Sequence, residues 1–447
     1  MYLSRFVIVY RDVSPGEHIL YSVLSASYLG VDDDTLLSIQ RWATEPVHPS
    51  DRDTAEYLEE AGFLTASREM DDQRLKSYLE RAAGGIPETM HITLMPTMAC
   101  DLACPYCFQK ESPAFNRMQP AMEEASVRWI LSRTDASGCR RLHVQYVGGE
   151  PLTRKDYILR TAELFSRAMS ARGGVFTWNI ITNGVQLTLP FVTALKQHGP
   201  GSIKITLDGD RETHDQTRIY RDGRGTFDIL LANLKAVAEY VTVHVGGNFL
   251  AGQAESYERL LKRLEEEDVL RHLGSVKFKP VVEAQRSGSC TGCATPQQKA
   301  QTLVQINQSV QRRAPQMKSM RSVVPTNPCE LHWTNSYTID PDGGVFKCPA
   351  VAGRPEMAVG HVQVDDTDKP APLLLARPWE QCGDCAFMPV CMGGCLGSKY
   401  LSTGRMDEVD CHKLEFEAIF RDTITARYRT ELGGRQWETV GANGVTN

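Results

Sequence analysis

Between about residues 88 and 285, short runs rich in β-branched and aromatic residues alternate with longer stretches whose apolar positions recur at helical spacing. The runs His91–Met95, Leu142–Tyr146, Thr177–Ile181, Ser202–Leu207, Val241–Val245 and Val276–Pro280 predict strands. Helices are predicted between them at Pro120–Thr134, Tyr157–Arg172, Leu189–His198, Phe227–Tyr240 and Ser256–Glu267. This alternation implies right-handed βαβ units, hence an α/β fold with a parallel sheet. Six such units suit either an open sheet or a barrel short of the usual eight, and periodicity does not choose between them.

The punctuation after the strands is polar or glycine-rich. Cys100, Cys104 and Cys107 follow the first strand, and Gly148-Gly149-Glu150-Pro151 the second. Thr182-Asn183-Gly184, Asp208-Gly209 and Gly246-Gly247-Asn248 follow the next three. Taken singly, each is a plain turn. Five in register predict a binding face, because parallel α/β folds bind ligands at the C-terminal ends of their strands.

Residues 1–87 read as a separate small domain. Asp34–Ala43 and Asp51–Ala61 predict helices, the second closed by Gly62 and followed by Phe63-Leu64 as a strand. Helix, helix and wing in that order suit a winged helix. The 8 basic and 16 acidic residues through Glu88 leave this part at −8, the wrong sign for a duplex-binding face, so nucleic acid is not expected. A sheet edge that captures an extended peptide fits the charge, and a packing or dimerisation module fits it too. Residues 286–432 turn to loops rich in Gly, Pro, Cys and Asp, with helix returning at Lys413–Arg429. Such loops bury little apolar surface, which predicts a domain organised by metal. Residues 433–447 read as a tail.

The 447 residues are 42% apolar, with 49 Lys and Arg against 55 Asp and Glu for a net charge of −6, which is an ordinary globular composition. No apolar run approaches the roughly 18–20 residues of a membrane span. Met1–Val13 lacks the shape of a secretion signal, so a cytoplasmic protein without a membrane partner is expected. In a reducing compartment thirteen cysteines point to metal or thiol chemistry rather than disulfides. Cys139 stands alone and reads as a small buried hydrophobe.

Cys100-x3-Cys104-x2-Cys107 offers three thiolates on a loop after a strand. Three ligands leave one corner of a cubane iron–sulfur cluster open to another molecule; a zinc site short of one ligand is the other reading of the spacing. With Tyr106 before the last cysteine, this segment resembles the signature of the radical S-adenosylmethionine (radical SAM) superfamily. Gly148–Pro151 resembles that family's motif for the methionine amino group. Thr182-Asn183-Gly184, Thr206-Leu207-Asp208-Gly209, His214-Asp215-x2-Arg218 and Gly225-Thr226-Phe227 match further family segments, in order, across about residues 91–250.

The resemblance implies a partial (β/α)6 TIM-like barrel with a [4Fe-4S] cluster on Cys100, Cys104 and Cys107. It implies S-adenosylmethionine contacts from Tyr106, Gly148, Gly149, Glu150 and Pro151, and from Thr182, Asn183, Asp208 and Gly247. Arg218 would face the methionine carboxylate and Thr206 the ribose. One electron from the cluster would then release a 5′-deoxyadenosyl radical that takes a hydrogen atom from the substrate.

Cys329-x13-Gly343-x4-Cys348, Cys382-x2-Cys385-x5-Cys391-x3-Cys395 and Cys411 are similar to the seven-cysteine SPASM domain of peptide-modifying radical enzymes. By that resemblance Cys382, Cys385, Cys391 and Cys411 hold an outer auxiliary cluster, and Cys329, Cys348 and Cys395 an inner one. A zinc ribbon is the alternative for Cys382–Cys395 in isolation. Two closed cubanes need eight cysteines. Cys290 or Cys293 would supply the eighth, Cys293 being nearer in sequence, or both are spare and an inner iron stays open to a substrate thiolate.

The resulting expectation is a maturase of a ribosomally made precursor peptide. Its N-terminal domain would bind the leader, three [4Fe-4S] clusters would be present, and a flavodoxin or ferredoxin would supply electrons. The product would be a thioether or another intramolecular cross-link, with Cα epimerisation open. The rivals are an anaerobic sulfatase-maturating (formylglycine-forming) enzyme and a non-enzymatic iron–sulfur electron carrier. In the sulfatase group an Asp commonly follows the counterpart of Cys348, where this chain has Pro349.

Overall fold

The computed structural model describes residues 1–111, 116–281, 295–314, 328–364 and 369–432. Its N-terminal part opens with β1 (Tyr2–Leu3) and a meander of β2 (Val7–Ser14), β3 (Glu17–Ser22) and β4 (Ser27–Asp32). The meander pairs antiparallel in the order β2-β3-β4. Helices α1 (Asp33–Arg41) and α2 (Arg52–Glu60) follow, then β5 (Leu64–Thr65) and α3 (Arg68–Ala83). The two expected helices and short strand are present. The meander ahead of them was not anticipated, and β5 pairs back antiparallel onto β1. Asp32 caps α1 by accepting from the Thr35 amide at 2.8 Å, which stops the strand and starts the helix at one residue.

The barrel strands are β6 (Thr89–Leu94), β7 (Arg141–Tyr146), β8 (Val175–Thr182), β9 (Gly201–Thr206), β10 (Thr242–Phe249) and β11 (Leu273–Pro280). Between them lie α4 (Pro120–Ala136), α5 (Lys155–Ser170), α6 (Leu189–Lys196), α7 (Arg211–Thr217), α8 (Phe227–Val237) and α9 (Ala254–Glu266). Adjacent strands pair in parallel in sequence order from β6 to β11. The order never reverses, so successive right-handed crossovers leave the helices on one face and the sheet curls as an incomplete barrel.

Alternation along the strands fixes the two faces. Ile92, Val144, Trp178, Ile203 and Val245 join helix residues such as Phe165, Leu234 and Leu260 in one core. The inner face carries polar side chains instead. His143 hydrogen-bonds Thr177 at 2.8 Å, and Asn179 reaches Gln145 at 3.2 Å.

Two expectations need correction. Gly246-Gly247-Asn248 does not follow the fifth strand but lies within β10. A Cβ at Gly247 would stand 1.9 Å from the Leu207 carbonyl oxygen, so glycine is required there for the β9 end to approach. The stretch after 285 is also not only loops. Helix α10 (Pro296–Arg313) is closed at its start by a reciprocal Thr295–Gln298 capping box. It buries Leu303, Ile306 and Val310 in the barrel core.

Strands β12 (Ser336–Ile339), β13 (Gly344–Phe346) and β14 (Gly360–His361) extend the same sheet beyond β6 to nine strands. β12 pairs parallel to β6, and β13 and β14 continue antiparallel. Short helices α11 (Pro372–Leu375), α12 (Met388–Cys391) and α13 (Leu396–Thr403) precede the long α14 (Lys413–Leu432). Helix α14 ties the chain's ends together. Phe420 is fully buried among Phe387, Phe416 and Tyr21. Among the described residues no helix is long and apolar enough to cross a membrane. Cys290, Cys293 and the stretch 433–447 lie outside the described residues.

Candidate functional site

The C-terminal ends of β6 to β10 converge on the first cysteine loop. After β6 the backbone of Thr97–Ala99 pairs with the loop after β7: Gly149 N donates to Thr97 O at 3.0 Å and Glu150 N to Ala99 O at 2.9 Å. A Cβ at Gly148 would sit 2.2 Å from Thr97 O, and one at Gly149 would sit 2.3 Å from Ala99 O. Side chains are therefore excluded at both positions, and the next residue is Cys100. Pro151 starts a short 3-10 turn, where its missing amide is no loss.

Glu150 is fully buried and directs its carboxylate inward. Thr182 Oγ1 donates to it at 2.7 Å, Leu152 N at 2.9 Å and Asn183 N at 2.8 Å. Burial pushes its carboxyl up to about 7, and the three donors only partly offset that. Glu150 and Thr182 are thus spent on each other and lock two strand ends together. Asn183 continues the chain of contacts, donating Nδ2 to Asp101 Oδ1 at 2.7 Å and lying 3.9 Å from Cys100 Sγ. Gln186 holds the other Asp101 oxygen at 2.9 Å.

On the opposite side, Tyr106 donates its phenolic hydrogen to Asp208 Oδ2. Asn248 N donates to Asp208 Oδ1 at 2.7 Å, and Arg218 Nη1 donates to Tyr106 Oη at 3.0 Å while lying 3.8 Å from Asp208. Burial works against the Arg218 charge, but Tyr106 and Asp208 hold it protonated. Its Nε is buried with no partner among the described residues. His214 supports this corner. Its Nδ1 accepts from Asp208 N at 3.2 Å and its Nε2 meets Thr226 Oγ1 at 3.0 Å, and Thr226 donates to Arg218 O at 2.6 Å. Burial, then Arg218, pushes His214 down to about 3, so the ring is neutral. Thr206 ends β9 on the inner face, opposite Gly246.

The described thiols outside Cys139 form three groups. Cys100, Cys104 and Cys107 cluster with Leu102, Val185 and Tyr220. Cys348 is raised to about 12 by burial and by Cys395 and Cys329. Cys391 is raised to about 12 by burial, then by Cys382, Cys385 and Cys411. The second and third groups share no member.

Glycines shape these sites as well. Gly343, at φ +87°, turns β12 into β13, and Cys348 after β13 packs in one cluster with Met95 and Met98, which follow β6. A Cβ at Gly397 would lie 2.9 Å from Cys348 Sγ, and one at Gly394 would lie 1.8 Å from Asp410 O, next to Cys411. Among the described residues no three His, Cys, Asp or Glu groups converge on a single-ion point. Three or four cysteine thiols on neighbouring loops are the donor set that a cubane takes on its separate irons. Buried thiols with raised pKa are stabilised as thiolates when metal takes them.

Asp101 and Gln186 are site residues that sequence reasoning did not single out, while His214 and Asn248 stood inside recognised segments without a specific role. Asp101 adjoins Cys100, whereas nothing in the spacing marks Gln186.

Residues 94–266 match the Radical SAM superfamily, and the chain carries a radical SAM domain. A PqqA peptide cyclase of Methylocella silvestris is 31% identical over 147 residues, 33% of this chain and 35% of that protein. A cysteine-type anaerobic sulfatase-maturating enzyme of Clostridium novyi is 24% identical over 147 residues, 32% of this chain and 38% of that protein. The chain thus spans about a third of the length of the curated relatives it matches.

Two solved structures share the fold. Native anSMEcpe with bound AdoMet and Cp18Cys peptide superposes with TM-score 0.61 at 16% identity, over 76% of this chain and 99% of that one. Streptococcus suis SuiB bound to precursor peptide SuiA superposes with TM-score 0.52 at 14% identity, over 93% of this chain and 99% of that one.

Proposed function

We propose that this radical SAM enzyme modifies a ribosomally made precursor peptide, installing a thioether or another intramolecular cross-link. The observation that carries the reading is the pair of further thiol groups in the segment that extends, past β6, the sheet whose strand ends hold Cys100, Cys104 and Cys107. Each of the three groups would hold a [4Fe-4S] cluster, with Cys293 or Cys290 available to the inner one. Together the first cluster and S-adenosylmethionine supply a carbon-centred radical able to take a hydrogen atom.

The chain's own residues do the holding. The backbone at Gly148 and Gly149 would line the cofactor's methionine end, kept in place by Glu150, Thr182 and Asn183. Arg218 would offer its unpartnered Nε to the cofactor's carboxylate and Thr206 would meet the ribose, while Tyr106, Asp208 and Gly247 keep the β9 side fixed. The acidic N-terminal part would take the leader along a strand edge. A flavodoxin or ferredoxin would deliver electrons in the cytoplasm.

Anaerobic reconstitution tests this. About twelve irons per chain, four for each cubane, and dithionite-dependent release of 5′-deoxyadenosine are expected. Co-expression with a candidate precursor, such as any short reading frame found beside the gene, should give a product lighter by two hydrogens. Conversion of a sulfatase cysteine to formylglycine instead would favour the sulfatase-maturase reading, and iron without 5′-deoxyadenosine would favour an electron carrier.

A further inference from the structure

Asp101, next to Cys100, is clasped from the loop after β8. Asn183 Nδ2 donates to its Oδ1 at 2.7 Å and Gln186 Nε2 to its Oδ2 at 2.9 Å. The first amide can face only one way. Its Oδ1 accepts from Val185 N at 2.9 Å, which leaves Nδ2 to point at the carboxylate. The same Nδ2 lies 3.9 Å from Cys100 Sγ, and Asp101 Oδ1 lies 3.7 Å from that sulfur. One carboxylate oxygen is therefore held beside the thiol by side chains from a different strand end.

Both donors are neutral amides, and among the described residues Asp101 makes no ion pair. Arg221 reaches the same loop, but its Nη2 donates to Cys100 O at 3.2 Å and its side chain is exposed. Such hydrogen bonds fix a carboxylate without cancelling its charge. The potential of an iron–sulfur cluster follows the charge and the hydrogen bonds around its sulfurs. A fixed anion at close range opposes an incoming electron. It also leaves the reduced state a stronger reductant, which cleavage of a sulfonium bond requires.

Resting on the reading of Cys100, Cys104 and Cys107 as ligands of the first cluster, we infer that Asp101, clasped by Asn183 and Gln186, is a positioning residue whose charge holds that cluster's reduction potential low. The amide clasp keeps the charge beside Cys100, and the charge acts on the one electron the cluster accepts from its donor.

The test is a redox titration of anaerobically reconstituted protein, followed by electron paramagnetic resonance. The first cluster's signal is identified by its loss from the Cys100→Ala, Cys104→Ala, Cys107→Ala triple variant. Asp101→Asn removes the charge, and Gln186→Lys keeps carboxylate and donor but neutralises the charge. Both should favour reduction about tenfold, a rise of ~59 mV for one electron. Gln186→Leu breaks the clasp but leaves the charge, and should change the reduction equilibrium by less than about twofold. A purely structural role predicts the reverse ranking, with Gln186→Leu close to Asp101→Asn and Gln186→Lys unshifted. That ranking overturns the inference, as does an unshifted potential in Asp101→Asn or loss of the signal from both charge variants. If Asp101→Asn alone loses the signal, the potential of Gln186→Lys decides: a rise supports the inference and no rise overturns it. Absence of the signal from the unsubstituted protein defeats the cluster reading beneath, which these outcomes leave standing.

Discussion

Tyr106 and Asp208 lie 102 residues apart and share one hydrogen bond, the phenol donating to Oδ2. That bond fastens the loop bearing Cys104 and Cys107 to the end of β9. Arg218 and Asn248 close the same corner.

Removing the donor with Tyr106→Phe should cost about 1 kcal/mol of stability. Asp208→Asn leaves Arg218 without its counter-charge and should cost about 3–5 kcal/mol. Urea denaturation of both variants checks the ranking. An Asp208→Asn midpoint at or above that of Tyr106→Phe would refute it.

Gly149→Ala drives a methyl group against the Ala99 and Met98 carbonyl oxygens, at 2.3 and 2.4 Å for the ideal Cβ. Backbone cannot yield there without moving Cys100. S-Adenosylmethionine affinity should fall at least tenfold, with iron retention reduced at the first site. Equilibrium dialysis and iron analysis measure both.

Glu150 gives a signed pH dependence. Burial raises its carboxyl from 4.5 to about 7. Below pH 4.5 it is protonated folded and unfolded alike, and between 4.5 and 7 only the folded state keeps the proton. Its contribution is therefore fully present at low pH and lost as pH rises through 7, by about 3 kcal/mol. Glu150→Gln should remove that slope. Unfolding free energies of both proteins from pH 4.5 to 8 should diverge by this amount.

The barrel was legible because its strands are β-branched runs bounded by Gly, Asn or Asp, a pattern set by local sterics and burial. The cysteine groups were legible because metal chemistry fixes spacing. The meander at Val7–Asp32 was not, since Arg11, Asp12 and Glu17 break its apolar alternation. Helix α10 escaped notice because its buried Leu303, Ile306 and Val310 sit among glutamines and arginines. The pairing of β12 with β6 joins Ser336 to His91, a contact no local pattern announces. Glu150 bore a motif's signature, yet its inward direction depends on Thr182 and Asn183 from the next strand.

Lys204 is positioned at a cost to stability. Its amine is lowered from 10.5 to about 8, so the unfolded state binds the proton more tightly and stability rises as pH climbs from 8 to 10.5. Lys204→Met should stabilise the protein at pH 7 by about 1–3 kcal/mol. Thermal unfolding at pH 7 and pH 10.5 checks this, and the gain should shrink at the higher pH.

The N-terminal part is packed on the third thiol group. Asp384, between Cys382 and Cys385, pairs with Arg68 and lies 3.5 Å from Arg5. Tyr21 and Tyr78 share a cluster with Phe387, Val390 and Phe420. Phe420→Ala should cost about 3–5 kcal/mol. It should also lower iron retention at the third group while 5′-deoxyadenosine release persists. Unchanged iron content would separate that group from the N-terminal contact.

The most direct measurement is dithionite-dependent 5′-deoxyadenosine formation by anaerobically reconstituted protein, compared with the Cys100→Ala, Cys104→Ala, Cys107→Ala triple variant. The intact protein should release the nucleoside and bind S-adenosylmethionine, and the variant should do neither while keeping about eight irons on its remaining thiols. Equal release by both proteins would contradict the assignment of the first thiol group as the radical-generating centre.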